Sequence, residues 1–237
     1  MFGNLPKLTV GRIRAIPIRA DITFLLIPYL LLKGLSGRPI ADHWPQFLAV
    51  AAGIFISILL HELGHALTAK RYRVGVVEVV VGGFYGYARM QSAAISRIRA
   101  ISILAAGPVT NLVLFVVFWL ALSTPTLSQL GVLGLRWPPG QSFLWLTETM
   151  RVLALLNLLM FVFNLFPFYP LDGGKIFGLI LDKFTSLRVS LAVVSALGIT
   201  AGAAMVIYGF GSNTVLAIIG AFVIMTNVQR LSHLKAR

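Results

Sequence analysis

Two histidines and a glutamate interrupt one of the most apolar stretches of this sequence. The stretch reads ILLHELGHALTAK and places His61, Glu62 and His65 among leucines and alanines. Four residues advance a helix by about 400°, so the imidazoles of His61 and His65 lie on one face, one turn apart. This spacing lets both rings bind one metal ion. Glu62 then lies beside the ion, where it can accept a proton from a water molecule.

A catalytic zinc ion needs a third protein ligand and an open position for water. The chain has no cysteine, which excludes thiolate ligands and disulfides. The other two histidines, His43 and His233, are expected away from the helix end that carries His65. The third ligand is therefore expected among the acids. Asp172 is favoured because it lies in PLDGG, a helix-breaking sequence at the end of an apolar run, where irregular backbone must line a cavity. Glu78 and Asp182 remain weaker alternatives.

The composition indicates a membrane protein. Of 237 residues, 58% are hydrophobic and 11% are charged, whereas a soluble domain carries about 25% charged residues. The mean hydropathy of +0.89 agrees with a chain that spans the lipid bilayer several times. The net charge of +13 could indicate nucleic-acid binding, but no basic patch is interleaved with aromatic residues. Basic loops of a membrane protein explain the charge, and no nucleic-acid partner is expected.

The apolar runs predict an all-α polytopic membrane protein with about six transmembrane helices and a small membrane-associated β-hairpin or sheet. The predicted spans are 21–35, 46–72, 98–122, 143–168, 189–210 and 215–229. Residues 1–20 alternate with period two and read as a strand-like segment, and residues 74–92 read as a β-hairpin-like insert. The length leaves no room for a second globular domain, so we predict one transmembrane domain over 1–237.

The distribution of basic residues predicts the orientation in the membrane. If the N-terminus is cytoplasmic, 16 of the 20 lysines and arginines fall on cytoplasmic segments and 4 on the other side. This split follows the positive-inside rule and agrees with an even number of spans. We therefore expect an integral multi-pass protein of the cell membrane with both termini cytoplasmic. The HELGH and PLDGG segments then lie toward the same side of the membrane.

Two motifs together resemble the site-2 protease family of intramembrane zinc metalloproteases. HELGH lies in one span, and NLFPFYPLDGG follows at the end of a later one. The second segment matches the family pattern N-x-x-P-x-x-x-x-D-G at Asn164, Pro167, Asp172 and Gly173. The pair Gly82–Gly83 and the sequence AGPVTN in the third span also fit. The resemblance covers most of the chain and corresponds to the compact branch, without a PDZ insertion or a C-terminal regulatory domain.

The resemblance implies an intramembrane zinc endopeptidase that hydrolyses peptide bonds in or near transmembrane segments of membrane-protein substrates, as in regulated intramembrane proteolysis. It implies one zinc ion per chain, held by His61, His65 and Asp172, with Glu62 as the general base. It also places several residues near the substrate, and we assign as substrate-binding Asn111, Asn164, Pro167, Gly82 and Gly83. The oligomeric state is not indicated by any motif.

Two other function classes stay open at this point. A non-catalytic relative could bind zinc or transmembrane helices as a chaperone or sequestering protein, although the intact Glu62 argues against it. A metal transporter would favour internal repeats and matching broken helices, and no repeat of fixed period is visible in the sequence.

The glycine-aromatic segment Gly82–Tyr87 has two interpretations. It could pair with an extended substrate as an added strand, using the edge of Val77–Val81. It could equally be a hairpin on the membrane surface with an interfacial aromatic belt.

Overall fold

A computed structural model describes residues 6–25, 29, 44–82, 86–123 and 141–235. The chain forms two compact units. The first consists of Met1–Ala94 and Val109–Phe161, and the second of Ile95–Pro108 and Val162–Arg237. The HELGH segment belongs to the first unit and the PLDGG segment to the second. The assignment of 1–237 to a single domain stays a prediction.

The first unit contains a four-stranded sheet in the order β1-β2-β3-β4. Its strands are β1 (Leu8–Ile13), β2 (Ile16–Ala20), β3 (Val76–Val81) and β4 (Gly86–Met90). Strands β1 and β2 pair antiparallel, as do β3 and β4. The β-branched insert is therefore a hairpin, as its pattern predicts. The N-terminal segment, which was expected to be strand-like, forms a second hairpin.

The two hairpins join into one sheet because β2 pairs parallel with β3 over Ile18–Ala20 and Val79–Val81. Strand β3 thus has neighbours on both sides, and the expectation that Val77–Val81 offers a free edge is wrong. The physical reason is a pairing between strands more than fifty residues apart, which no local pattern encodes. Among the described residues, the edges of the sheet are β1 and β4.

Helix α1 (Trp44–Arg71) carries the HELGH segment in its C-terminal half. The sheet packs against this half of the helix. One buried cluster joins strand residues Ile16, Ile18 and Val79 to Leu63 and Ala66 on the helix. Because Leu63 and Ala66 flank His65, the same contacts that bury the sheet fix the rotation of the helix at the two histidines.

A second cluster lies one to three turns earlier along α1. Val50, Ile54 and Ile58 contact Val81 at the end of β3 and Leu153. Leu153 lies on helix α3 (Gln141–Asn164), which follows helix α2 (Arg97–Ser123) along the chain. Contacts with α3 and β3 therefore fix α1 on the N-terminal side of the HELGH turn, and contacts with the sheet fix the turn itself.

The second unit contains helices α4 (Asp172–Leu181), α5 (Leu187–Gly209) and α6 (Thr214–Lys235). Helix α4 corrects two expectations. The PLDGG sequence was expected to break helical structure, but it opens a helix at Asp172, after an extended Leu171 at the N-cap. The fourth span ends at Asn164 instead of Phe168, because the chain needs the intervening residues to turn into α4.

Five helices of the described residues are long and apolar enough to cross a membrane: Phe47–Arg71, Arg97–Leu122, Thr147–Asn164, Leu187–Gly209 and Thr214–Ser232. They correspond to the second to sixth predicted spans. The first predicted span, 21–35, lies mostly outside the described residues. Within its described part, a 3-10 helix covers Ile22–Leu25. The predicted class, a helical membrane protein with a small sheet, is confirmed.

Candidate metal centre

The imidazoles of His61 and His65 converge inside the first unit. The two residues are 5% and 6% exposed, and their Nε2 atoms lie 3.2 Å apart. Zn–N bonds of about 2.05 Å in a tetrahedron place two ligand nitrogens about 3.3 Å apart. The two rings meet nearly at right angles, at 85°, so their Nε2 atoms can point at a common position. The donor pair therefore fits a zinc ion.

Asn111 on α2 fixes the orientation of His61. Its side-chain oxygen lies 2.8 Å from Nδ1 of His61, and the residue is fully buried. A carboxamide oxygen only accepts, so Nδ1 carries the proton and Nε2 keeps the lone pair that a metal needs. Asn111 was assigned to substrate binding from the sequence. Its position beside His61 gives Asn111 a second role. A histidine that binds a metal through one ring nitrogen needs a hydrogen-bond partner for the other, and Asn111 is that partner for His61.

Glu62 lies next to the first residue of β4. The glutamate is 6% exposed, and a Cβ atom added at Gly86 would lie 2.7 Å from its Oε1 and 2.9 Å from Cγ2 of Ile58. Only glycine therefore leaves room for the carboxylate in its present place. Gly86 was not singled out from the sequence, although the run GGFYG contains a third glycine that could have pointed to it. The other two differ, since Gly82 is buried after β3 and Gly83 lies outside the described residues.

A second polar pair lies one turn before His61. Asn157 on α3 is fully buried and donates from Nδ2 to Oγ of Ser57 at 3.0 Å. Ser57 in turn donates to the carbonyl of Gly53 at 2.8 Å. Asn157 was not anticipated from the sequence, because an asparagine inside an apolar run has no spacing that marks its partner. The contact between Asn157 and Ser57 extends the polar face of α1 by one turn toward the N-terminus of the helix.

In the second unit, Asp172 is 4% exposed and lies in the first turn of α4. Its Oδ1 accepts a bond from Nζ of Lys175 at 2.9 Å. The two glycines that follow are needed for close packing. A Cβ atom at Gly173 would collide with the backbone of Leu165, and one at Gly174 with the backbone of Phe168. The D-G-G sequence therefore lets the first turn of α4 lie directly against the preceding loop.

That loop is also held from α6. Nδ2 of Asn227 donates to the carbonyl of Tyr169 at 2.6 Å, and Asn227 is fully buried. The guanidinium of Arg230 lies 3.7 Å from the centre of the Tyr169 ring. Asn164 is half-buried at the end of α3, and Pro167 is exposed in the loop. Asn164 and Asp172 thus stand at the two ends of the loop that contains Pro167, and α6 holds the backbone of this loop at Tyr169.

The two alternative ligands are engaged elsewhere. The buried carboxylate of Glu78 lies 2.8 Å from Arg19 and 3.0 Å from Arg89, and two arginines oppose a cation at that position. Asp182 lies 3.7 Å from Arg97 and is partly exposed. Each of the three candidate acids thus has a cationic partner, and the choice of Asp172 as the third ligand stays a prediction.

Comparisons with known proteins agree with this arrangement of motifs. The model of peptidase family M50 matches residues 49–209. A zinc metalloprotease of Methanocaldococcus jannaschii is 29% identical over 213 residues, which are 90% of this chain and 57% of that protein. The Rip3 protein of Mycobacterium tuberculosis is 31% identical over 181 residues, 70% of this chain and 42% of its own length. The chain thus spans about half the length of the curated relatives it matches.

A solved structure shares the fold over almost the whole chain. The site-2 protease from Methanocaldococcus jannaschii superposes with a TM-score of 0.66 at 26% sequence identity, covering 95% of each chain. Together with the five apolar helices, these matches identify an integral membrane protein.

Proposed function

Because the chain belongs to peptidase family M50, we propose that it is a zinc-dependent intramembrane endopeptidase that cuts membrane-protein substrates in or near their transmembrane segments. The observation that carries the proposal is the buried pair His61–His65, with Nε2 atoms 3.2 Å apart and Glu62 adjacent. A purely structural histidine pair has no need of a buried carboxylate beside it. The names of the relatives agree, since the first is called a zinc metalloprotease.

We assign the zinc ligands to His61, His65 and Asp172, one ion per chain. Zinc bound there would polarise the scissile carbonyl and make a water molecule more acidic. Three ligands leave the fourth position open for water and substrate. Asp172 is supported by its burial and by its motif. Asp182 is partly exposed, and the carboxylate of Glu78 lies between two arginines.

Glu62 is the proposed general base. Its carboxylate would accept the proton of the attacking water and then deliver it to the leaving amine. Gly86 keeps the space that this carboxylate occupies. Asn111 holds His61 in the tautomer that leaves Nε2 free to bind a metal ion. Each role uses an atom already fixed by packing, so little reorganisation is needed when substrate arrives.

The substrate would bind in an extended form. A helical substrate has its backbone amides closed in hydrogen bonds, so it must unwind before attack. Strand β4 is an edge of the sheet among the described residues, and its first residue, Gly86, lies against Glu62. We propose that the substrate adds to β4 as a further strand, near the predicted contacts Gly82 and Gly83. Asn164, Pro167 and Asn111 stay predicted substrate contacts.

The cellular setting is also a proposal. The basic residues, divided 16 to 4, support a cell-membrane protein with both termini cytoplasmic. Such a protease would release a membrane-bound factor by regulated intramembrane proteolysis.

The test measures zinc and cleavage in matched variants. Purified wild-type protein should contain about one zinc per chain by elemental mass spectrometry, and Asp172→Asn should lose most of it, whereas Asp182→Asn should not. Glu62→Gln should keep zinc and lose cleavage of a transmembrane substrate. Zinc retained by Asp172→Asn would refute Asp172 as a ligand. Cleavage or phenotype unchanged in Glu62→Gln would favour the non-catalytic zinc- or helix-binding alternative.

A further inference from the structure

A cavity of about 590 Å³ opens at the C-terminal end of α1, and its lining is strongly basic. The lining residues are Arg14, Leu67, Thr68, Lys70 and Arg71. Three of these five side chains are cationic, one offers a hydroxyl and one is apolar. No acid lines this cavity in the part of the chain that the structure describes. Such a lining is complementary to an anion that carries several acceptor oxygens.

No salt bridge joins any of the three cations to an acid among the residues that the structure describes. The sequence has only seven acids, and four of the described ones pair with bases outside the cavity: Glu78, Glu148, Asp172 and Asp182. The C-terminus of α1 contributes a partial charge of about −0.5, which offsets at most one of the cations. The remaining charges repel one another unless a ligand neutralises them.

The backbone around the cavity supports a binding role. Arg14 and Ala15 form the two-residue turn of the β1–β2 hairpin with φ of 47° and 67°, where asparagine and glycine are preferred. Arg73, which lies two residues after the end of α1 and has φ of 61°, occupies the position where helices favour glycine. Of these two arginines, Arg14 lines the cavity, and an arginine at a backbone position that favours asparagine or glycine indicates a side chain required for function.

Lys70 joins the turn to the helix. Its Nζ donates to the carbonyl of Arg14 at 2.8 Å, although 56 residues separate them. The ammonium has two further N–H donors for a ligand. This bond ties the backbone of the hairpin turn at Arg14 to the last turn of α1.

The position of the cavity along α1 indicates the source of the anion. The apolar span Phe47–Arg71 has 25 residues and is about 38 Å long, whereas the hydrocarbon core of a bilayer is about 30 Å thick. This excess and the two basic residues that end the helix, Lys70 and Arg71, place its last turn at the depth of the lipid phosphates. Leu67 lies one turn deeper, where the glycerol and the first methylenes of a lipid would lie.

We propose that this cavity binds the phosphate group of an anionic phospholipid. Arg14, Lys70 and Arg71 would donate to the phosphate oxygens, Thr68 would donate its hydroxyl, and Leu67 would contact the acyl end. The site is distinct from the proposed metal centre, and the proposal does not rest on the proteolytic function.

The experiment counts bound lipid by native mass spectrometry during titration of the detergent-purified protein with phosphatidylglycerol or phosphatidylcholine. The test variant is Arg14→Gln/Arg71→Gln. The matched control, Lys183→Gln/Arg188→Gln, removes two exposed cations of the second unit. Each cation near an anionic headgroup contributes about fivefold in affinity, so we expect about 30-fold weaker phosphatidylglycerol binding in the test variant. The control should change by less than about twofold.

Three further measurements separate the proposed site from its alternatives. Arg71→Gln alone leaves the hairpin turn intact and should weaken binding about fivefold, and Arg14→Lys/Arg71→Lys should restore most of the affinity. Glycerol 3-phosphate, which lacks acyl chains, should bind at least about tenfold more weakly than phosphatidylglycerol. Equal affinity for the two would identify a soluble phosphate ester as the ligand and overturn the lipid assignment. Equal losses in the test and control variants, or equal binding of both lipids, would overturn the site.

Discussion

At the scale of single residues, two positions matter because they support a neighbour. Asn111 binds no metal itself, yet its oxygen lies 2.8 Å from Nδ1 of His61. Gly86 has no side chain, yet its bare backbone leaves the space for Glu62. Asn111 acts through the proposed ligand His61, and Gly86 acts through the proposed base Glu62. The first effect should therefore appear in zinc affinity and the second in the rate of cleavage.

Replacing Asn111 should weaken zinc binding. Asn111→Leu removes the acceptor of the His61 Nδ1 proton, and loss of such a partner typically costs 10- to 100-fold in metal affinity. Asn111→Asp keeps an acceptor and should retain affinity. Competition with a chelator of known zinc affinity measures both variants.

Asn157→Leu is the matched control, because Asn157 is an equally buried asparagine that bonds to Ser57 and not to a histidine. It should leave zinc affinity within about twofold of wild type, since it removes no partner of a proposed ligand. Equal zinc loss in both variants would mean that Asn111 acts only through general packing.

Replacing Gly86 should separate cleavage from zinc binding. A Cβ atom 2.7 Å from Oε1 of Glu62 displaces the carboxylate, and a displacement of about 1 Å can lower a rate about 100-fold. Gly86→Ala should therefore cleave about 100-fold more slowly and still contain zinc. Gly11→Ala in the same sheet has nothing within 4 Å of the new atom and should cleave normally. A Gly86→Ala enzyme with normal activity would contradict the assigned position of Glu62.

At the scale of elements, an ionic ladder crosses the sheet. The carboxylate of Glu78 on β3 lies between Arg19 on β2 and Arg89 on β4, at 2.8 Å and 3.0 Å. It joins the N-terminal hairpin to the insert at the parallel β2–β3 pairing. The glutamate is buried while both arginines reach solvent, so the ladder is only partly screened by water.

Removing the central charge should weaken the sheet. Glu78→Gln leaves two arginines beside each other, and we expect a loss of about 1 kcal/mol in the free energy of unfolding after allowance for the exposed guanidiniums. Glu148→Gln removes an exposed i,i+3 pair with Arg151 and should cost less than about 0.5 kcal/mol. Denaturant unfolding in the same detergent compares the two variants. A larger loss for Glu148→Gln would contradict the structural role of Glu78.

At the scale of the whole molecule, the proposed zinc should contribute to stability. A ligand that binds only the folded chain stabilises it in proportion to the logarithm of its concentration, about 2.7 kcal/mol at 100 times its Kd. The chain has no cysteine to bind stray metal when unfolded, which favours a clear effect.

Chelation should therefore lower the Tm of the wild-type protein, and added zinc should restore it. The variant His61→Ala/His65→Ala lacks both proposed histidine ligands and should show the same Tm with and without chelator. Thermal unfolding at several zinc concentrations tests this. A wild-type Tm that does not respond to zinc would contradict a zinc ion bound within the folded chain.

The sequence by itself determined the class of protein, the hairpin of the insert, the strand character of the N-terminal segment and the five membrane-length helices that the structure describes. Each depends on a local pattern: apolar length for the spans, period two for the strands, and a four-residue repeat for the pair His61 and His65. Local geometry fixes these features whatever the rest of the chain does. The motif around Asp172 was also visible, although its glycines were expected to break a helix that they in fact begin.

Only the tertiary structure decided the features that join distant segments. The parallel pairing of β2 with β3 made β4 the edge strand, packing brought Asn111 to His61 and Gly86 to Glu62, and the hairpin turn placed Arg14 beside Lys70. These contacts join residues between 24 and about 60 positions apart. Their free energy comes from burial and hydrogen bonding between elements, which no repeat within a single element records.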